Sequence, residues 1–182
     1  MRQIKRVILL AAIAVLSGCL GMPDGVEPVG DFEAERYLGR WYEIARLDHS
    51  FERGLEAVNA TYSVREDGGI EVVNRGFDTE DGEWREAVGK AYFVEDDSIA
   101  HLKVSFFGPF YGSYVVFDLD RRDYGTAFVS GYNHSYLWLL ARSASVSEAV
   151  KADFVRQAEA LGFATEDLVW VDQSRDADSQ AN

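Results

Sequence analysis

The sequence predicts an all-β domain with one helix, and three observations carry that prediction. Apolar and polar side chains alternate in run after run, turn-forming clusters part the runs at hairpin spacing, and one late segment switches to helical spacing. In the clearest run, Val58, Ala60, Tyr62 and Val64 share one face while Asn59, Thr61, Ser63 and Arg65 share the other. Period two is the signature of a strand with one buried face. Asp67-Gly68-Gly69 then supplies the positive-φ residues of a tight hairpin into a strand at 70–78. A first strand is expected at 40–48, and others at 84–94, 100–107, 113–120, 126–131 and 136–142. Turn clusters at 78–82, 95–98, 108–112, 121–125 and 131–135 separate them. Eight short strands at this spacing point to a sandwich or an up-and-down barrel.

The helix is expected after Ser145, which reads as the N-cap of a capping box with Glu148. Val150, Phe154, Ala158 and Leu161 recur on one face, and Gly162 is placed to end the helix. Such a helix packs its single apolar stripe on the outside of a sheet. A short last strand follows at 168–171.

The N-terminus carries an address. Arg2, Lys5 and Arg6 precede an apolar run of ten residues, 7–16, which ends on Leu16-Ser17-Gly18-Cys19. A basic start, a short apolar stretch and small residues at the cut describe a secretory signal. The run is too short for a bilayer span, which takes about 20 apolar residues. Its last four residues resemble the lipobox of bacterial lipoproteins, in which cleavage precedes a cysteine that takes a diacylglycerol. That resemblance makes 1–18 a signal peptide and Cys19 the lipid-anchored first residue of the mature chain. Leu20 follows where an aspartate would hold a lipoprotein back, so it implies sorting to the outer membrane with the barrel facing the periplasm. Residues 19–30, with Pro23, Gly25 and Pro28, read as a tether, 31–172 as the folded domain, and 173–182 as a disordered acidic tail.

Charge excludes one class of partner. Removing 1–18 takes away three of the 18 basic residues and none of the 31 acidic ones, leaving a formal charge of −16. That surface repels phosphate backbones, so nucleic acid is not an expected partner. The chain's one cysteine is committed to the anchor, so no intrachain disulfide is available and the core must hold the fold.

Catalytic chemistry is absent from the sequence. His49, His101 and His134 have no second histidine at ligand spacing and read as surface groups; no metal site is expected. No serine sits in a Gly-X-Ser-X-Gly elbow, and acidic pairs such as Glu80-Asp81 and Asp96-Asp97 lie in turns. The chain is not expected to be an enzyme or to carry a cofactor.

Gly39-Arg40-Trp41 opens the first strand, Asp120 stands in the sixth turn, and Arg142 ends the eighth strand just before the helix. This order, with 36–46 and 103–112, closely resembles the bacterial outer-membrane lipocalins, from about Asp31 to Val171. The resemblance implies an eight-stranded antiparallel up-and-down β-barrel with the C-terminal helix packed on it. Gly39, Trp41, Asp120 and Arg142 become the structural residues of a closed end, where Arg142 covers the Trp41 indole. At the other end the turns carry Phe51, Phe110, Tyr111 and Tyr132. Aromatics at one rim suit a mouth that takes apolar ligands or touches lipid. Phe51, Tyr62, Phe106, Phe110, Tyr111, Tyr114 and Tyr136 are the candidate ligand contacts. The function implied is binding of a fatty acid or lysophospholipid for storage or transport in the envelope. The alternative is a structural or chaperone-like lipoprotein whose barrel is filled by its own side chains. Expected partners are that ligand and the membrane, with a homodimer as a further candidate.

The anchor is directly testable. Cys19→Ala is expected to release the protein into the soluble periplasm or to leave the uncleaved precursor in the inner membrane. Normal outer-membrane fractionation of that variant would overturn the assignment.

Overall fold

The computed structural model describes residues 20–175, so Cys19 and the segments 1–18 and 176–182 lie outside the described residues. A four-residue helix, α1 (Ala34–Tyr37), leads into eight strands. These are β1 (Gly39–Leu47), β2 (Leu55–Val64), β3 (Ile70–Asp78), β4 (Glu83–Phe93), β5 (His101–Ser105), β6 (Gly112–Leu119), β7 (Thr126–Ser130) and β8 (Leu137–Ala141). Helix α2 (Glu148–Ala160) and strand β9 (Leu168–Trp170) follow. Each of the first eight strands pairs antiparallel with its neighbour in sequence, and β1 pairs with both β8 and β2. The sheet therefore closes as an eight-stranded up-and-down barrel without free edges.

Alternation along the strands sorts the apolar residues into two cores. Trp41, Tyr62, Val72, Leu102, Val116 and Leu140 meet inside the barrel. Ile44, Val115, Phe128 and Leu139, of opposite parity, meet Phe154 and Ala158 of α2 on the outside. Phe154 and Ala158 stand four apart, so one helix face covers this wall. The helix is capped by Ser147, whose hydroxyl accepts from the Val150 N–H at 3.4 Å, rather than by Ser145. Gly162, at φ +84°, follows its C-terminus.

One end of the barrel is sealed. The Trp41 indole is fully buried and donates from Nε1 to the Tyr37 carbonyl at 2.8 Å. The Arg142 guanidinium lies 4.0 Å over the ring and donates to the carbonyls of Arg36 (2.7 Å), Arg40 (2.8 Å) and Tyr124 (3.4 Å). Gly39 turns there at φ +90°, and a Cβ on it would come to 3.4 Å from Arg142 Nη1. Asp120 shapes the adjoining β6–β7 turn by accepting from the backbone N–H groups of Arg122 and Gly125, each at 3.1 Å. Phe32 and Tyr124 pack below, and the Tyr124 hydroxyl accepts from the Glu33 N–H at 3.0 Å. Gly39, Trp41, Asp120 and Arg142 thus meet at one end.

Most strand ends fall within two residues of the sequence expectation, and three segments depart further. β2 begins at Leu55, three residues early, because Ala57 at φ +51° forms a bulge that lets the strand continue. Residues 20–30, expected as a tether, lie on the barrel: Val26 is buried beside α2, and the Val29 N–H donates to the Val116 carbonyl at 2.9 Å. Residues 173–175, expected as the start of a frayed tail, are held on the barrel. Gln173 is buried and donates from Nε2 to the carbonyls of Glu43 (2.7 Å) and Val58 (2.8 Å), while Arg175 pairs with Glu56.

Truncating the seal should therefore cost stability. Arg142→Ala removes a cation–π contact and strands three carbonyls, a combined loss of about 2–4 kcal/mol. Denaturant melts measure it; an unchanged midpoint would show that the stack contributes nothing.

Candidate functional site

β1 runs away from Trp41, so its far end and the connections at 48–54, 79–82, 106–111 and 131–136 share the opposite end of the barrel. Phe51, Phe107 and Phe110 are 58%, 81% and 78% exposed there. Between seal and rim, the β3–β8 side of the interior is apolar, with Val72, Leu102, Val104, Val116, Val129 and Leu140. Polar side chains fill the rest of the interior, in two groups.

The first group is a chain of phenols. Tyr114 exchanges hydrogen bonds with Tyr37 (2.7 Å) and Tyr62 (3.0 Å) between their hydroxyls. Burial pushes Tyr62 up to about 12 and holds Tyr37 and Tyr114 well above the ordinary phenol value, so all three remain neutral donors and acceptors.

The second group is charged. Glu43 shares the parity of Trp41 and points inward. A bulge follows: Glu43 faces Leu140 and Ala45 faces Leu139, so the side-chain parity shifts by one residue. Ala45 consequently packs in the outer core, and Arg46, 2% exposed, turns into the barrel. Its guanidinium donates to the Glu43 carboxylate at 2.7 Å and to the carbonyls of Glu52 (2.8 Å) and Leu55 (3.3 Å). Trp138, inward on β8, donates from Nε1 to Glu52 Oε2 at 3.2 Å. The neighbouring Glu52 carboxyl disfavours ionisation of Glu43. Burial raises both carboxyls above the usual range, Glu43 strongly, because Arg46 offsets only part of the desolvation.

His49 closes the group. It is 7% exposed, with Nδ1 3.9 Å from Glu52 Oε2, and its ring stands 4.9, 5.0 and 4.8 Å from those of Phe51, Tyr136 and Trp138. Burial first and the Arg46 charge second lower it to about 4, so the imidazole is neutral at physiological pH.

The candidate ligand contacts fall into three places. Tyr62 and Tyr114 are interior, as is Phe106, whose ring lies over Gly89 so closely that a Cβ there would come to 2.8 Å. Phe51, Phe110 and Tyr136 belong to the rim. Tyr111 is not brought to the interior: it packs beside Tyr92 and Lys103, whose side chains have outward parity on β4 and β5. His49 and His101 are buried rather than at the surface as expected, and only His134 of the three is exposed. Sequence reasoning missed Glu43, Arg46, His49, Glu52 and Trp138. Parity with Trp41 could have found Glu43; nothing in the pattern announces the bulge that turns Arg46 inward.

The sequence profile of the Lipocalin-like domain matches residues 32–173, from the floor of the sealed end to the Gln173 clasp. The chain belongs to the lipocalin family. This lipocalin is 57% identical over 169 residues to "Outer membrane lipoprotein Blc" of Vibrio cholerae, covering 93% of this chain and 99% of that one. It is 52% identical over 151 residues to the Escherichia coli protein of the same name, covering 83% and 85%. Among solved structures, insecticyanin from the tobacco hornworm superposes with a TM-score of 0.68 at 20% identity, over 86% of this chain and 89% of that one. The cockroach allergen Per a 4 gives 0.67 at 18%, over 87% and 99%. These likenesses show the fold.

The depressed His49 makes stability depend on pH. Between the unfolded value near 6.5 and the folded value near 4, the unfolded chain binds a proton that the barrel refuses, so stability falls as pH falls through that window. At pH 5 the loss is about 2 kcal/mol. The raised carboxyls of Glu43 and Glu52 act in the opposite sense. Comparing His49→Phe with the unaltered protein isolates the imidazole: the variant is expected to lose about 2 kcal/mol less between pH 7.5 and 5. Equal losses in denaturant melts would mean that His49 titrates normally.

Proposed function

We propose that this lipocalin carries or stores one monoacyl amphiphile, a fatty acid or lysophospholipid, at the outer membrane, held there by Cys19 with its barrel in the periplasm. The observation that carries the reading is the polarity of the barrel's two ends. Trp41 and Arg142 seal one, and exposed Phe51, Phe107 and Phe110 ring the other, with an apolar wall between. An acyl chain entering at the rim buries its surface against that wall, at about 25 cal/mol per Å², less the cost of ordering it. An eight-stranded barrel has room for one small ligand, which favours a single chain over a two-tailed phospholipid.

One observation favours a second reading. The phenol chain and the Glu43–Arg46–Glu52 group already occupy part of the interior, as they would in a structural lipoprotein whose barrel is filled from within. Titration calorimetry on the mature chain carrying Cys19→Ala separates the two. The carrier should take up one palmitate or lysophospholipid per barrel with affinity nearer micromolar than nanomolar; no uptake of either class selects the filled barrel.

A further inference from the structure

The buried group at the mouth has a charge left over. Two carboxyls, Glu43 and Glu52, face one guanidinium, Arg46, at 2% to 6% exposure. The other neighbours do not balance it. Tyr62 from β2 and Trp138 from β8 are neutral, His49 is neutral, and Gln173 contributes an amide. Asp48 and Arg53 pair with each other at 2.7 Å on the solvent side. An unpaired buried charge is costly, and in the free barrel burial favours a proton on one of the two carboxyls.

Yet this is not a closed structural network. Both ring nitrogens of His49 and Nε of Arg46 are buried without hydrogen-bond partners. Native interiors rarely leave such groups unpaired unless something else meets them. Among the described residues no set of histidines and carboxylates is placed to hold a metal ion. What the group offers is a carboxylate in need of a cation, a neutral imidazole able to accept, and three aromatic rings, Phe51, Tyr136 and Trp138, grouped around it.

We propose that this is a headgroup site for a primary ammonium, which supplies the positive charge that Arg46 alone does not. The inference rests on the lipid-carrier reading and adds its specificity: an ethanolamine-type monoacyl phospholipid, its chain against the apolar wall. On binding, the O–H bond of the protonated carboxyl breaks, the proton leaves to solvent, and Glu43 and Glu52 are both carboxylates. The ammonium's three N–H donors then find Glu52, Glu43 and a His49 nitrogen, and the ring faces add cation–π attraction.

The experiment uses the mature chain carrying Cys19→Ala and three probes: palmitoyl-lysophosphatidylethanolamine, palmitoyl-lysophosphatidylglycerol, and glycerophosphoethanolamine, the headgroup without its chain. Calorimetry near neutral pH in buffers of differing ionisation enthalpy counts protons. The ethanolamine lipid should release close to one proton and bind at least tenfold tighter than the glycerol lipid, which should release none. The chainless headgroup should bind far more weakly than the lipid, placing the source in the amphiphile; if it binds as tightly, the site serves free amines and the lipid assignment fails. Glu52→Gln, which keeps the shape and the Trp138 contact, should shrink the preference for ethanolamine at least tenfold. Equal affinity and no proton release for both lipids overturns the headgroup site while leaving the carrier intact, whereas failure of both lipids to bind removes the carrier reading itself. Proton release is read on unaltered Glu52, so the test does not depend on the variant folding.

Discussion

A closed barrel requires its first strand to pair on both sides, and β1 manages this for only part of its length. Residues Gly39 to Tyr42 pair with β2, while Tyr42 onward pairs with β8. Beyond Tyr42, β1 and β2 part, and the upper barrel is built around that parting. β9 takes the vacated edge of β1 at Ala45 to Leu47. Asp172 accepts from the Ala57 N–H at 2.7 Å, and Gln173 joins β1 to β2 through two carbonyls. The backbone groups that the missing ladder would have left unpaired are met by the C-terminal segment, which is why it lies against the barrel. Buried backbone donors and acceptors must find partners somewhere.

The same parting sets the chemistry of the interior. Where the ladder ends, a bulge in β1 costs little pairing, and it exchanges a small inward residue, Ala45, for a long cation, Arg46. The β1–β2 connection then folds Glu52 down to it. A buried ion pair of this kind gives little net stability, because desolvation offsets most of the attraction. Its value lies in fixing where polar atoms stand. The sealed end works differently. Arg142 lies over Trp41 and donates to three carbonyls at the barrel's margin, partly in contact with solvent, so the seal gains stacking and hydrogen bonds without the full cost of burying a charge.

Much of this was legible in the sequence, and the limits follow from which constraints are local. Strand alternation between Val58 and Val64, the Asp67-Gly68-Gly69 hairpin and the spacing of Phe154 and Ala158 are local patterns, and each became the expected element. Gly39, Trp41, Asp120 and Arg142 were legible as one end because the family resemblance marks them and an even strand count carries the chain back to where it began. Arg46 and His49 were not. Their burial depends on one extra residue in β1 and on the fold of an irregular connection, and period-two reading fails at the first bulge. The packing of Tyr111 beside Tyr92 and Lys103 was not legible for a related reason: a rim loop does not dictate which side its rings take. The N-cap slipped from Ser145 to Ser147 because both serines offer a hydroxyl, and the geometry of the turn after Arg142 chooses between them.

The interior is therefore two-sided in a way composition does not reveal. Strands β3 to β8 contribute mostly aliphatic side chains, with Tyr114 of β6 and Trp138 of β8 among them, while β1, β2 and the segments flanking β1 contribute carboxyls, a guanidinium, an imidazole and two phenols. A wholly apolar guest would leave His49 and Arg46 Nε unmet beside it, and a wholly polar one would forfeit the aliphatic wall. The guest that satisfies both sides carries one long chain and one compact polar group, and the exposed phenylalanines of the rim lie at the only end not sealed by Trp41 and Arg142.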